Sequence, residues 1–240
     1  HNHARMWFAS IWIFTLGLPW QLGAEFFMKY LFDGDSASNT LGWRWVAGIQ
    51  TKGKNYVALE WNIKKFTNNK FDNIKLKENP VPVLDHRNYS ILNNDFINAN
   101  ISNGQDLLIF ENNLSLEQTD FKDQFFKNIY FVFNGNETRQ IKLDEKVLNF
   151  KRSLINNQIE NFKNKSSNCK MINVQDLKDM KENLLALYPC VGENLDFINS
   201  NNLKNISFLY RKIDQFSWKY SNKGFFNFKN YIPKIVQKFI

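Results

Sequence analysis

Residues 33–45 read DGDSASNTLGWRW and run from the end of one segment predicted to be helical into the next. The glycine between two aspartates breaks the apolar helical stripe that precedes it. In the segment that follows, Asn39 and Trp43 lie four residues apart, so they share one face of a helix. Such a face suits either a capped helix whose tryptophan packs in the core or the wall of a ligand site. Spacing alone favours the capped core helix.

The two aspartates of this stretch, Asp33 and Asp35, follow an apolar helix and therefore need cations or hydrogen-bond donors. Arg5 is the only charged side chain among the first 24 residues. We therefore expect Arg5 to pair with one of the two carboxylates. The other carboxylate and Asn39 would then be free to meet a ligand that carries imide-type donors and acceptors.

Helical patterns also fill the chain before this stretch. Residues 3–16 are apolar on nearly all faces, which predicts a buried helix. Residues 22–32 carry apolar side chains at helical spacing. The uncharged run 6–18 is interrupted by Gly17 and followed by Pro19, so we expect a core helix there and no membrane segment.

Composition places the chain among globular proteins of one or two domains. The chain has 240 residues, of which 43% are hydrophobic and 16% aromatic, and this excludes disordered and disulfide-dense classes. Six of the seven tryptophans precede residue 71, after which prolines and asparagines without helical spacing follow. We therefore predict a helical domain over residues 1–72, a linker over 73–104 and a second domain over 105–240.

The second domain alternates apolar runs with helical patterns. Four runs indicate strands and three segments indicate helices, which predicts a parallel sheet with right-handed crossovers. The strands are expected at residues 106–111, 129–133, 171–174 and 206–210, and the helices at 118–127, 144–162 and 176–187. No glycine-rich phosphate-binding motif follows any of these strands, so the sheet carries no nucleotide fingerprint.

The formal charge of +8 permits an anionic partner without requiring one. Arg44, Lys52 and Lys54 stand among aromatic residues, and they are either contacts for DNA phosphates or a solvated surface. Two cysteines and three histidines are too few for a cysteine- or histidine-built metal site, so none is expected. The low cysteine count fits a reducing compartment, and we expect a cytoplasmic location.

Residues 1–49 resemble the flavin-binding core of the photolyase/cryptochrome family. The resemblance runs without gaps through Asn2-His3-Ala4-Arg5-Met6, Leu18-Pro19-Trp20, Asp33-Gly34-Asp35, Ala37-Ser38-Asn39 and Gly42-Trp43-Arg44-Trp45. Residues 50–72 resemble the following loop more loosely. Residues 105–240 weakly resemble an α/β segment that follows the flavin domain in a bacterial branch of FAD-binding photolyase-like proteins. The implied fold class is α + α/β: a helical photolyase-type FAD-binding half-domain followed by a small parallel-sheet α/β domain.

The resemblance implies FAD as the cofactor and gives the matching polar residues a role in holding it. Arg5 would pair with Asp33 near the flavin. Asp35 would accept a hydrogen bond from the flavin imide, and Asn39 would lie near the reactive flavin nitrogen. Asn2 would face the adenine side.

The resemblance also implies an electron relay and a substrate pocket. Trp43 would be the proximal electron donor, and Trp20 would be the next member of the relay. Met6 would face the lesion pocket. Other parts of the family's site, including its phosphate-binding loop and its distal relay tryptophan, belong upstream of the matching region. We therefore expect these residues to be a fragment that carries half of a flavin site and is inactive by itself.

The implied activity of the longer parent is light-driven electron transfer from reduced flavin, which splits pyrimidine dimers in DNA. Two alternatives stay open. The first is a flavin-based blue-light photoreceptor or redox protein of the same fold without repair activity. The second is an interaction module that binds no flavin. The sequence does not fix the oligomeric state.

Overall fold

The computed structural model describes residues 1–51, 53–77, 79–85, 87, 96–102, 104–116, 119–163 and 166–239. The chain divides into two compact units. The first comprises His1–Asn88 with Gln140–Val147, and the second comprises Tyr89–Arg139 with Leu148–Ile240. Helices make up the regular structure of residues 1–88, and a parallel sheet with helices makes up the second unit.

The described part of residues 1–88 forms four α-helices and one π-helical turn. They are α1 (Asn2–Ser10), the π-helical turn (Ile11–Thr15), α2 (Trp20–Tyr30), α3 (Ser36–Val46) and α4 (Glu60–Phe66). Proline directly precedes α2, where its fixed backbone suits a helix start. Asp35 caps α3, because its side chain accepts a hydrogen bond from the Ser38 N–H at 2.6 Å.

The core of the first unit lies between α1, α2 and α3. Its buried members are Ala9, Ile13, Phe14, Trp20, Ala24, Trp43, Val46, Ala47 and Ile49. The predicted full burial of residues 3–16 is wrong, because only one side of this segment is buried. The apolar stripe of α2 is also displaced: Leu22 and Phe26 are exposed, whereas Gly23 and Ala24 face the core. Small residues face inward there because the large ring of Trp43 occupies the space opposite them.

The second unit contains a five-stranded sheet in the order β3-β2-β1-β4-β5, with every pair of neighbouring strands parallel. The strands are β1 (Asp106–Phe110), β2 (Phe126–Phe133), β3 (Ser166–Asn173), β4 (Leu184–Leu187) and β5 (Ile206–Leu209). The helices are α5 (Glu145–Phe162), α6 (Glu193–Ser200), α7 (Lys212–Trp218), α8 (Phe225–Lys229) and α9 (Ile232–Phe239). Leu107 of β1 pairs with Ile129 of β2 and with Leu185 of β4. Apolar runs without alternation form these strands because a parallel sheet is covered on both faces.

Two predicted helices of this unit are wrong. In place of helix 176–187 the chain forms a 3-10 turn (Val174–Lys178) and then β4, so the sheet has five strands and not four. The four apolar residues of β4 form a short run, which periodicity cannot assign to strand or helix. Within the predicted helix 118–127, the described residues 119–125 form turns and no helix. There Thr119 donates to the Leu116 carbonyl and accepts from the Phe121 N–H, and such local bonds compete with a helix.

None of the described helices combines the length and the apolar character that a membrane span requires.

Candidate functional site

A cavity of about 260 Å³ lies among α1, α2 and α3 in the first unit. Five of the residues predicted from the sequence line it together: Asn2, Arg5, Met6, Asn39 and Trp43. The other lining residues are Ala9, Phe27, Ser38, Gly42, Trp45 and Val46. The cavity therefore combines aromatic walls with a few amide and guanidinium groups, which is the usual character of a small-molecule site.

Arg5 links α1 to the loop before α3. Its Nη1 lies 2.5 Å from Oδ2 of Asp33, and both side chains are about half exposed. Asp33 also accepts a hydrogen bond from the Gly34 N–H at 3.1 Å. The expected pairing of Arg5 with one of the two aspartates is thus present, and it orients the guanidinium at the cavity rim. Because the pair is exposed, we attribute to it no more than about 1 kcal/mol of stability.

Asp35 does not line this cavity. Its carboxylate is the N-cap of α3, which is the capping role that spacing alone favours. A contact between this carboxylate and a flavin stays a prediction. Any test of that contact must keep the cap, because loss of an N-cap alone costs about 0.5–2 kcal/mol.

Asn39 is held in place by α2. Its Nδ2 donates to the carbonyl oxygen of Ala24 at 2.8 Å. This bond fixes the amide against a neighbouring helix, and its oxygen and second hydrogen are the groups that it can offer to a ligand.

Trp43 is buried at the centre of the aromatic wall. The ring of Phe27 meets it edge-on at 5.0 Å, and the rings of Phe8 and Trp12 lie 6.3 Å away. Its indole Nε1 is buried without a hydrogen-bond partner among the described residues. A buried donor without a partner is costly to the fold. The amide of Asn39 and the guanidinium of Arg5, beside this aromatic wall, fit a planar ring that carries hydrogen-bond acceptors and donors.

The cavity volume fits only part of a large cofactor. About 260 Å³ is smaller than the roughly 300–1,000 Å³ of typical ligand pockets. The described walls therefore suit a ring system more than a whole dinucleotide.

Trp20 lies outside this cavity, although it belongs to the same buried core as Trp43. It lines a second cavity of about 320 Å³, together with Asp85 and Arg87. The guanidinium carbon of Arg44 stands 5.9 Å from the Trp20 ring centroid. Arg44 in turn lies 3.0 Å from Asp85 Oδ2, and Arg87 contacts the other carboxylate oxygen at 3.0 Å. These arginines hold the pKa of Asp85 well below its usual range, chiefly through the hydrogen bonds from Arg87.

The predicted DNA-contacting residues are in different situations. Arg44 is largely buried and paired with Asp85, so its charge is already partly compensated. Lys54 is exposed. Lys52, like His86, lies outside the described residues. Contact between these residues and DNA stays a prediction.

Sequence reasoning gave no site role to six residues of the cavity wall, among them Phe27, Ser38 and Trp45. Phe27 lies in the apolar stripe of α2 and was assigned to no site. Ser38 directly precedes Asn39, and its position in the first turn of α3 was a usable signal. Trp45 belongs to a motif of the resemblance but was given no role; it lines the cavity, and its ring stacks on Tyr56 with centroids 5.6 Å apart.

A buried ionic cluster in the second unit was also not foreseen. Arg139 forms ion pairs with both Glu111 and Glu193. Lys151 Nζ lies 3.2 Å from Oε1 of Glu111, which is the oxygen that Arg139 also contacts. Asn134 donates its N–H to the other Glu111 oxygen at 2.9 Å. Because its charges are paired internally, the cluster braces the end of the sheet. Among the described residues, no group of side chains could hold a metal ion.

The first part of the chain is similar in sequence to known proteins. Residues 1–89 match the family described as the FAD binding domain of DNA photolyase. The chain is 51% identical over 51 residues to the deoxyribodipyrimidine photo-lyase of Streptomyces griseus. It is 43% identical over 59 residues to the same enzyme of Salmonella typhimurium and 41% identical over 59 residues to that of Escherichia coli.

These similarities cover 21–25% of this chain and 11–12% of those relatives, so the chain spans only about a tenth of the relatives' length. No solved structure is significantly similar to the chain. Residues 1–89, which contain the cavity, thus match the FAD binding domain of DNA photolyase, and this match indicates FAD as the cofactor.

Proposed function

We propose that this chain is part of a photolyase that uses FAD and light to split pyrimidine dimers in DNA. The observation that carries the proposal is one cavity whose wall combines the indole of Trp43 with the polar side chains of Asn2, Arg5 and Asn39. The cavity lies within the segment that matches the FAD binding domain of DNA photolyase. The curated relatives of this segment are deoxyribodipyrimidine photo-lyases.

FAD, when bound, supplies the electron that a light-driven repair reaction needs. The residues of the chain hold and orient it in this proposal. Arg5, fixed by Asp33, places a positive charge at the cavity rim, and Asn39, fixed by Ala24, offers an amide. Asp35 would accept a hydrogen bond from the flavin imide. Asn2 and Met6, which line the cavity, would face the adenine and the lesion.

Trp43 and Trp20 act as successive electron donors in this proposal. Trp43 lies in the cavity wall, and both indoles belong to one water-excluded core. When flavin is bound, Trp43 would give an electron to the light-excited flavin and would recover it from Trp20. Trp20 also lines the second cavity, and the added reductant would restore its electron.

The organisation that we propose keeps a helical FAD-binding half-domain over residues 1–72, a linker over 73–104 and an α/β domain over 105–240. Lys54, with Arg44 and Lys52, would contact phosphates of the damaged DNA. Two free cysteines, Cys169 and Cys190, are compatible with the reducing cytoplasm.

Titration of the longer parent protein with FAD, followed by blue illumination with a reductant and a dimer-containing oligonucleotide, tests this function. We expect saturable FAD binding, bleaching of the oxidised flavin spectrum, and loss of dimers only in the light. Bleaching without loss of dimers would favour the photoreceptor alternative. A parent protein that takes up no FAD would contradict the proposal and favour an interaction module. Arg5→Ala should weaken FAD binding, whereas the control Lys29→Ala, on α2 and outside the cavity lining, should not.

A further inference from the structure

Trp12 belongs to none of the motifs that carry the resemblance to the photolyase family, yet its ring contacts that of Trp43. The two ring centroids are 6.3 Å apart, and the ring planes meet at 81°. Among the rings that the structure describes, this is the one pair of indoles in contact. The other rings against Trp43 are those of Phe8 and Phe27. Trp43 therefore has a tryptophan neighbour to which sequence reasoning gave no site role.

The neighbours of Trp43 differ in how readily they lose an electron. An indole ring is oxidised by one electron far more readily than the phenyl ring of phenylalanine. Electron transfer between two rings also falls steeply as the gap between them widens, so rings in contact exchange electrons first. Of the three described rings against Trp43, that of Trp12 is therefore the one that can supply an electron to it.

Trp12 lies between Trp43 and the surface of the chain. Trp43 is 2% exposed, whereas Trp12 is half-buried and is not one of the residues that line the candidate flavin cavity. The partly exposed rings of Phe8 and Phe26 stack on Trp12, with centroids 5.7 and 6.3 Å from its own. A positive charge that passed from Trp43 to Trp12 would thus move outward from the cavity wall.

The polar neighbours of Trp12 and Trp20 have opposite effects on a positively charged ring. Trp12 Nε1 donates to the carbonyl oxygen of Pro19 at 2.9 Å, and the negative end of this dipole stabilises positive charge on the indole. The guanidinium carbon of Arg44 stands 5.9 Å from the Trp20 ring centroid and disfavours positive charge there. The ion pair with Asp85 offsets part of this effect. These neighbours favour a positive charge on Trp12 over one on Trp20.

We propose that Trp12 is a second electron donor to Trp43, beside Trp20. The proposal rests on the proposed function, because a light-excited flavin is the oxidant. Trp43 gives one electron to that flavin and is left as a radical cation. Trp12 then gives one electron to Trp43, which returns to the neutral indole, and the positive charge resides on Trp12. No bond breaks and no proton moves in this step. The reductant of the illumination assay returns one electron to Trp12.

A first test uses the full chain without flavin. Two indoles in contact couple their excited states, and this coupling produces a pair of circular dichroism bands of opposite sign. Trp12→Phe and Trp43→Phe should each abolish the same band pair. Trp7→Phe is the matched control, because Trp7 is also half-buried but bonds to Asn62 and does not contact Trp43 among the described rings. A band pair that is absent from the unsubstituted chain, or that survives Trp12→Phe, would overturn the proposal.

Transient absorption of the longer parent protein with bound FAD tests the electron path. After a blue flash, Trp20→Phe should keep a long-lived tryptophan radical, because Trp12 still supplies Trp43. Adding Trp12→Phe to this variant should abolish the radical, whereas adding Trp7→Phe should not. Far-UV circular dichroism and the FAD content show that each variant folds and holds the cofactor. The result for Trp20→Phe stands by itself if a double variant fails to fold.

Loss of the radical in Trp20→Phe alone would overturn the proposal. An equal amount of radical after Trp12→Phe is added would also overturn it. These outcomes are distinct from those that test the proposed function. A parent protein that shows the expected radicals but removes no dimers would keep the second donor and lose the repair activity. A parent protein that takes up no FAD would overturn the proposed function, and the second donor with it.

Discussion

Gly23 of α2 lies directly under the indole ring of Trp43. A Cβ atom at position 23 would stand 2.1 Å from Cη2 of that ring and 2.4 Å from Cζ3, which is far closer than carbon atoms can approach. The missing side chain therefore lets α2 and α3 pack closely around Trp43. The same contact fixes the ring that forms the wall of the candidate flavin cavity.

Gly23→Ala should destabilise the first unit. Helix propensity alone would favour alanine by about 1 kcal/mol, but overpacking of a core costs about 1–3 kcal/mol, and here the overlap involves a large rigid ring. We expect a net loss of about 1–2 kcal/mol. Urea unfolding followed by tryptophan fluorescence measures it, because six of the seven tryptophans lie in this unit.

Gly42→Ala is the control for this prediction. Gly42 is also helical, but a Cβ there meets no atom within 4 Å. The alanine should therefore stabilise the unit by about 0.5–1 kcal/mol, through its higher helix propensity alone. Equal effects of the two substitutions would contradict the packing argument.

Asp35 has one role that the structure shows and one that the family resemblance implies, and two substitutions separate them. Asp35→Ser keeps an N-cap acceptor for α3. The free energy of unfolding of this variant should therefore stay within a few tenths of a kcal/mol of that of the unsubstituted chain. Asp35→Ala should lose about 1 kcal/mol. If the carboxylate also accepts from the flavin imide, both variants should lose retained FAD, as measured by absorbance after gel filtration. FAD retention in Asp35→Ser would leave this residue with its capping role only.

Glu111 should be the most sensitive position of the buried ionic cluster. Its side chain is 1% exposed and faces both Arg139 and Lys151, so Glu111→Gln leaves two buried cations without their shared anion. Removing one partner of a buried pair costs about 3–5 kcal/mol. Glu193→Gln is the matched control, because Glu193 contacts the same arginine but is 28% exposed. Denaturant unfolding followed by circular dichroism should show the larger loss for Glu111→Gln, and similar losses would contradict the assignment.

The sequence predicted the elements whose patterns are long or chemically marked. The helices around Asp33 and Asp35 were found because glycine, proline and capping residues mark their ends. The strand at Leu184–Leu187 was missed because four apolar residues carry no period, and only pairing with β1 and β5 identifies them. The wall residues Phe27 and Trp45 were missed for a related reason. Which side of an aromatic helix faces a cavity depends on where small residues such as Gly23 allow close packing.

Asp85 provides a pH-dependent test of the first unit. Hydrogen bonds from Arg87 and Arg44 lower its folded pKa below the ordinary value of 3.8, so the native carboxyl binds fewer protons than the unfolded one. Its contribution to stability is therefore complete above about pH 4 and is lost as the pH falls through the folded pKa. Asp85→Asn should lower the melting temperature at pH 7. The difference in melting temperature between this variant and the unsubstituted chain should narrow as the pH falls from 4 to 2. The two arginines supply the control: Arg44 is 13% exposed and Arg87 is 66% exposed, so Arg44→Gln should lower the melting temperature more than Arg87→Gln. A gap that stays constant with pH would show that Asp85 stabilises the unit without its charge.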